Sequence, residues 1–210
     1  MSEKILQRNM QEGITLYGAG GHCKVVMDVL AANGLKPTGI VDDNPQSDCF
    51  MGLPLTKPSG NIKEAIITIG NCEIRKLISH RIHVENYISV IHPSAFISPN
   101  ATIGKGTVIM QGAIVQAGAS IGSHCIINTQ ASVDHDCVIQ DFVHVASGAT
   151  ICGECEVGEC SWIGAGAVIK QCIRIGKNCI IGAGAVIIRD VPDNAIVAGN
   201  PGRIIKYLNS

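Results

Sequence analysis

Aromatic residues are scarce in this chain of 210 residues: Phe, Tyr and Trp together make up 3%. That scarcity suits a narrow interior better than a core built around large rings. An excess of either charge is also missing. Sixteen Lys and Arg face seventeen Asp and Glu, for a net charge of −1, and no basic run exists. Nucleic acid and anionic membrane are therefore poor partners. No apolar run approaches the roughly 18 residues of a membrane-spanning helix, and the first residues, Met1-Ser2-Glu3-Lys4, carry no signal-peptide pattern. The ten cysteines lack a paired zinc motif: Cys152 and Cys155 form one C-x-x-C with no second pair, so no metal site is expected. Reduced thiols and the missing leader together point to the cytoplasm.

What the chain has instead is glycine, 24 residues of it, and a strict repeat. Stepping by six from Ile91 reaches Ile97, Ile103, Ile109 and Val115, and continues to Ile181 and Ile187 without a miss, seventeen positions in all. Every one is Ile or Val. The residue two before each is usually small, as in Ala95, Ala113, Cys125, Cys137, Ser161 and Cys179. A helix of 3.6 residues per turn would scatter a period of six around its axis. A short strand keeps i−2 and i on one face, and a tight turn then restarts the unit. This is the hexapeptide β-helix signature. Three hexads close one coil of 18 residues in such folds, so seventeen give between five and six coils. The cysteines at the small inward position read as small hydrophobes. The tail around Gly199-Asn200-Pro201 reads as a cap, which solenoid ends need.

Before the repeat lies a different grammar. Residues 1–12 read as polar and loose. Residues 13–17 read as a strand, Gly18-Ala19-Gly20-Gly21-His22 as a glycine turn, and Cys23 to Ala32 as a helix ended by Asn33-Gly34. Gly39-Ile40-Val41 reads as a second strand closed by Asp42-Asp43, and residues 65–69 as a third, ending at Gly70 before a helix over 73–82. This is a βαβ unit whose glycine turn, Asp42-Asp43 and Gly70 converge on one sheet edge, where such sheets bind ligands. Backbone N–H groups there can approach a phosphate, and an acidic residue can hold a ribose hydroxyl. The dinucleotide fingerprint needs glycine at position 23, where the chain has Cys23. A mononucleotide-sized site, or a turn with no ligand, are the two readings. Two domains are expected, 1–85 and 86–210.

Within the repeat, the chemistry-bearing stretch is Asp134-His135-Asp136. Val133 and Cys137 point inward by register, so the triplet forms a corner. A histidine beside carboxylates is a candidate general base, because a neighbouring negative charge raises its pKa; a polar surface turn is the plain alternative. His144 lies between inward Val143 and Val145 and faces away from the prism. It stands nine residues from His135, half a coil, so a site using both would have to combine two subunits. Its plain alternative is an oligomer contact.

With these motifs in view, the chain resembles the nucleotide-sugar acetyltransferases related to sialic acid O-acetyltransferase, and most nearly the bacillosamine-pathway N-acetyltransferases. The resemblance rests on Tyr17-Gly18-Ala19-Gly20-Gly21-His22, Val41-Asp42-Asp43, residues 69–75, residues 133–139 and Gly199-Asn200-Pro201, and it covers most of residues 14–205. It implies a small Rossmann-like domain followed by a left-handed parallel β-helix, assembled as a homotrimer. It implies transfer of acetyl from acetyl-CoA to the 4-amino group of a UDP-linked 4-amino-4,6-dideoxy sugar. Substrate contacts then fall on Gly20, Gly21, His22, Asp42, Asp43 and Gly70. The base falls on His135, assisted by Asp136. Contacts to CoA fall on His144, Ala165 and Ala183, which register stacks into a wall along the prism. The alternatives are O-acetylation of a sialic acid or other sugar hydroxyl, acetylation of a dTDP-linked amino sugar, and, from another class, a scaffold or carbonic-anhydrase-like metal site using His124, His135 and His144.

Overall fold

The structure, a computed structural model, describes residues 13–208; the loose segment expected over 1–12 lies outside them. The first unit is a parallel sheet flanked by helices. Strands β1 (Ile14–Tyr17), β2 (Pro37–Val41), β4 (Leu53–Thr56), β5 (Ile62–Ile67) and β6 (Val84–Tyr87) run parallel, and β3 (Cys49–Phe50) closes one edge antiparallel to β4. The order β3-β4-β2-β1-β5-β6 places β1 centrally. Helices α1 (Gly21–Ala32) and α2 (Cys72–Arg81) begin one or two residues before their expected starts. Asn71 caps α2 through its side chain, which accepts from the Ile74 N–H at 2.9 Å, and Glu73 in its first turn suits the helix dipole. The hairpin of β3 and β4 and the edge strand β6 escaped the sequence reading, because Pro54 and the polar Glu85-Asn86 break the alternation that marks strands. The last strand of the unit, β6, crosses the 85/86 boundary expected between the domains.

The second unit is a parallel β-helix. Seventeen two-residue strands run from β7 (Val90–Ile91) to β23 (Val186–Ile187), each hexad contributing one. They stack in register one coil apart, as in Val108 on Ile126 and Ile126 on His144, to form three flat faces. The Ile and Val ladder fills the interior: Ile109, Val133, Val145 and Ile163 are fully buried in one continuous core. The cysteines inside do more than fill space. Cys125, Cys137 and Cys155 each donate their S–H to a carbonyl fifteen residues on, at 3.1 Å. Ser161 does the same with its hydroxyl at 2.7 Å. Strands β24 (Ala195–Ala198) and β25 (Arg203–Tyr207) pair antiparallel and cap the end, as expected of the tail.

The turns have a rule of their own. From residue 106 to residue 184, every sixth residue has φ between 54° and 74°. Six of these fourteen positions are glycine, the residue that adopts this conformation at no steric cost. The other eight carry side chains into a region costing L-residues roughly 1–2 kcal/mol. They are not scattered. The corner of Gly112, Gly148, Gly166 and Gly184 has one non-glycine member, Gln130. The corner of His124, Phe142, Cys160 and Asn178 faces the first unit, and the corner of Asp136, Glu154 and Cys172 holds the histidine triplet.

The first unit sits on one face of the β-helix. Ile88, Val90, Val108 and Met110 join the core of α1 and β1. Arg75 of α2, 1% exposed, fastens the contact. Its guanidinium donates to the carbonyls of His124 (2.8 Å) and Phe142 (2.7 Å) in the solenoid, and of Ile69 (2.8 Å) and Gly70 (3.0 Å) in its own unit. Lys76 and Glu159 add a surface ion pair at 2.9 Å.

Candidate active site

The sequence-predicted residues form three groups. The first lies at the C-terminal edge of the parallel sheet. Gly20 caps α1 and Gly21 begins it, and among the described residues a β-carbon at either would meet nothing within 4 Å, which leaves space at the helix N-terminus. Asp42 turns inward on the glycine loop: one oxygen accepts the Ala19 N–H at 2.8 Å and the other the Asn44 N–H at 3.0 Å. Asp43 is engaged as well. It accepts the Tyr17 hydroxyl at 2.6 Å and the Arg81 guanidinium at 2.6 Å. The Arg81 and Tyr17 hydrogen bonds hold its carboxyl below the usual range, while burial, with Asp43 beside it, pushes the Tyr17 phenol up to about 12. Both aspartates thus shape the loop through bonds already made. Tyr17 and Arg81, the partners of Asp43, were not singled out as site residues, since their pairing spans 26 and 38 residues.

The second group joins that edge to the solenoid. His144 does face away from the prism, with Val143 and Val145 fully buried behind it. It does not face solvent, because the first unit covers it and leaves it 9% exposed. Its Nδ1 lies 3.2 Å from the Gly70 carbonyl and its Nε2 3.2 Å from Asn128 Nδ2. A carbonyl only accepts, so Nδ1 carries the proton and Nε2 accepts from the amide. Its ring stacks on Trp162 at 5.8 Å, and His22 lies 6.5 Å away. Burial drives both histidines neutral, His22 down to about 3 and His144 to about 4, with Arg75 opposing a further charge on each. Among the described residues, His22 Nε2 is buried without a hydrogen-bond partner. Further along the same edge of the prism, Ala165 and Ala183 occupy stacked exposed turns joined by the Gly184 N–H to the Ala165 carbonyl at 2.8 Å. Trp162, 46% exposed and three residues before Ala165 in the chain, is a surface feature the repeat did not flag.

The third group is the corner triplet. His135 and Asp136 form its turn, with Val133 and Cys137 fully buried on either side. His135 Nδ1 lies 2.9 Å from Asp136 Oδ2. The carboxylate accepts, so Nδ1 bears hydrogen and Nε2 keeps its lone pair. The Asp136 hydrogen bond, aided by the charges of Asp134, Asp136 and Glu154, raises the His135 pKa above its ordinary value. The side chain is 53% exposed, with Nε2 over the Gly153 turn of the next coil. Chemically this is an oriented imidazole base.

Within one chain these groups stay apart. His135 turns the corner between the second and third faces, whereas His22, Gly70 and His144 lie on the first. The three solenoid histidines do not converge either: His124 is buried between Tyr87 and Phe142. Among the described residues no group of three His, Cys, Asp or Glu is placed to hold a metal ion.

Comparison with known proteins defines the class first. Residues 13–82 match the PglD N-terminal domain family, and residues 154–189 match the bacterial transferase hexapeptide family (six repeats). With the prism and its turns, this is a hexapeptide-repeat transferase. The crystal structure of a His-to-Asn mutant of perosamine N-acetyltransferase from Caulobacter crescentus, in complex with CoA and GDP-perosamine, is 33% identical with a TM-score of 0.88, covering 92% of this chain and 97% of that one. The acetyltransferase domain of PglB from Neisseria gonorrhoeae FA1090 is 36% identical with a TM-score of 0.84, over 93% and 100% of the two chains. A curated relative, UDP-N-acetylbacillosamine N-acetyltransferase of Bacillus subtilis, is 38% identical over 46% of this chain. Another, GDP-perosamine N-acetyltransferase of Escherichia coli O157:H7, is 34% identical over 59%. The matches span about half the length of these two curated relatives, 50% and 53%. The chain belongs to the nucleotide-sugar N-acetyltransferase family.

Proposed function

We propose that this chain transfers the acetyl group of acetyl-CoA to the 4-amino group of a UDP-linked 4-amino-4,6-dideoxy sugar. The observation that carries the reading is the His135–Asp136 bond, which leaves Nε2 as a free proton acceptor on an exposed corner. The neutral amine attacks the thioester carbonyl and Nε2 takes its proton. The C–N bond forms, the C–S bond breaks, and the proton passes to the departing thiolate. Asp136 orients the ring and stabilises the imidazolium. Backbone N–H groups at the coil turns stabilise the oxyanion. No cysteine nucleophile is needed, and burial raises the pKa of most inward thiols, as at Cys125.

The nucleotide lies over Gly20, Gly21 and His22, with Asp42, Asp43 and Gly70 completing the loop cluster, and CoA runs past His144, Ala165 and Ala183. Because His135 and that cluster lie on different sides of one prism, the complete site forms between subunits of a homotrimer. A suitable contact face exists: its outward residues Phe96, Ile114, Ser132, Thr150, Val168 and Val186 carry no charge. The UDP assignment follows the Bacillus relative, and the Escherichia and Caulobacter relatives make GDP the competing nucleotide. Mass spectrometry of products from acetyl-CoA and a panel of UDP-, GDP- and dTDP-linked 4-amino sugars, with sialic acid as the hydroxyl acceptor, tests this. Acetylation of the UDP-linked amine first is expected, and acetylation only of a hydroxyl would overturn it.

A further inference from the structure

The imidazole of His135 does not stand free at its corner. One coil further on, directly beneath it, the turn presents Gly153, which is buried. The two turns are joined by the Glu154 N–H, which donates to the His135 carbonyl at 2.9 Å. A β-carbon at Gly153 would lie 2.5 Å from His135 Nε2, 2.6 Å from Cε1 and 3.1 Å from Cδ2. The ring therefore occupies the volume that any other residue at 153 would fill. Gly118, one coil the other way, does the same for the carboxylate: a β-carbon there would overlap Asp136 Oδ1. Gly118 also has a positive φ of 74°, so backbone alone explains it. Gly153 lies outside the left-handed region, and its turn neighbour Glu154 carries the positive φ instead. Nothing in the backbone asks for glycine at 153.

We propose that Gly153 is a positioning residue for the acetyl transfer: the missing β-carbon creates the space in which the His135 imidazole rests while its Nδ1–H stays on Asp136. The proposal rests on His135 serving as the base. A methyl group at 153 would force the ring back to ordinary contact near 3.4 Å, a move of about 1 Å. A 2.9 Å hydrogen bond does not survive that displacement, and misplacement of a reacting group by about 1 Å costs on the order of 10²-fold in rate. The obstacle is the far end of a flexible side chain, so alanine at 153 disturbs the ring and leaves the coil intact.

The test is Gly153→Ala in the full-length protein, alone and combined with His135→Ala. His135 is titrated by NMR, and kcat and both KM values are measured. The charged groups that act on the ring are Asp136, Asp134 and Glu154, none of which the substitution removes. Expected are a fall in the His135 pKa toward 6.5, a kcat lowered about 10- to 100-fold with KM values within about twofold, and no further loss in the His135→Ala background. Unchanged titration and turnover would overturn the proposal. An equal loss in the His135→Ala background would also overturn it, by making the role purely structural. Wild-type turnover in His135→Ala alone would instead sink the base assignment, and the titration would still decide whether Gly153 positions the ring.

Discussion

Two corners of the same prism share a backbone and differ in almost everything else. Along one, the left-handed turn position is glycine at 112, 148, 166 and 184. Along the other, it is Asp136, Glu154 and Cys172 after a single Gly118. The conformation is the same to within about twenty degrees of φ. Glycine meets it freely, and a bare corner leaves Ala165 and Ala183 exposed beside open backbone. Aspartate meets it at a cost, and in return delivers a carboxylate 2.9 Å from His135. The third corner makes the same point with packing. His124 and Phe142, both at φ near 60°, stack at 5.1 Å against Tyr87 and His80 of the first unit. At these two corners the side chains at the left-handed position are engaged: Asp136 holds His135, and His124 and Phe142 pack on the first unit.

Several substitutions would break or sharpen that contrast. The largest effect is expected at the histidine corner: His135→Ala lowers kcat by about 10² to 10⁴ with the thermal midpoint unchanged, as read by steady-state kinetics and calorimetry. Arg75→Met strikes the docking corner instead. It strips four carbonyls of their donor and should cost about 3 kcal/mol in denaturant unfolding; a loss under about 0.5 kcal/mol would mean the units are held by other contacts. At the bare corner, Ala183→Leu should raise KM for acetyl-CoA about tenfold and leave kcat within about twofold. Asp136→Gly should separate backbone cost from chemistry. Thermal unfolding should show a gain of about 1 kcal/mol, while turnover falls; a destabilised variant would contradict the strain argument.

The smallest effect concerns pH and the covered face. His22 and His144 have folded pKa values near 3 and 4, below the ordinary 6.5. Their neutral forms suit the fold, and the unfolded chain binds the protons first. Their contribution to stability is complete above pH 6.5 and is lost as pH falls from 6.5 through the folded values, near 4 for His144 and near 3 for His22. Calorimetry across that window should show the loss, and a His144→Gln variant should show less of it.

Much of this molecule was legible because a period of six counts the same everywhere. The Ile and Val ladder, the turn at His135 and the outward direction of His144 all follow from local spacing. What spacing omits is whatever comes from elsewhere in the chain. Outward from the prism is toward Gly70 for His144, because a unit folded from residues more than fifty positions earlier covers that face. Arg75 reaches His124 and Phe142 across 49 and 67 residues, and no local pattern announces such a partner. The inward cysteines fit the ladder by size, yet their S–H donation to the next coil needs coordinates to see. Tyr17 and Arg81 likewise meet Asp43 only in three dimensions.

The central claim is that the Asp136-held imidazole of His135 is the base of acetyl transfer. The pH dependence of kcat/KM, measured for the wild type and for Asp136→Asn, addresses it most directly. The account predicts an acid limb whose midpoint lies above 6.5 in the wild type, because Asp136 raises it, and moves down when the carboxylate is removed. A limb that stays in place in Asp136→Asn would contradict it.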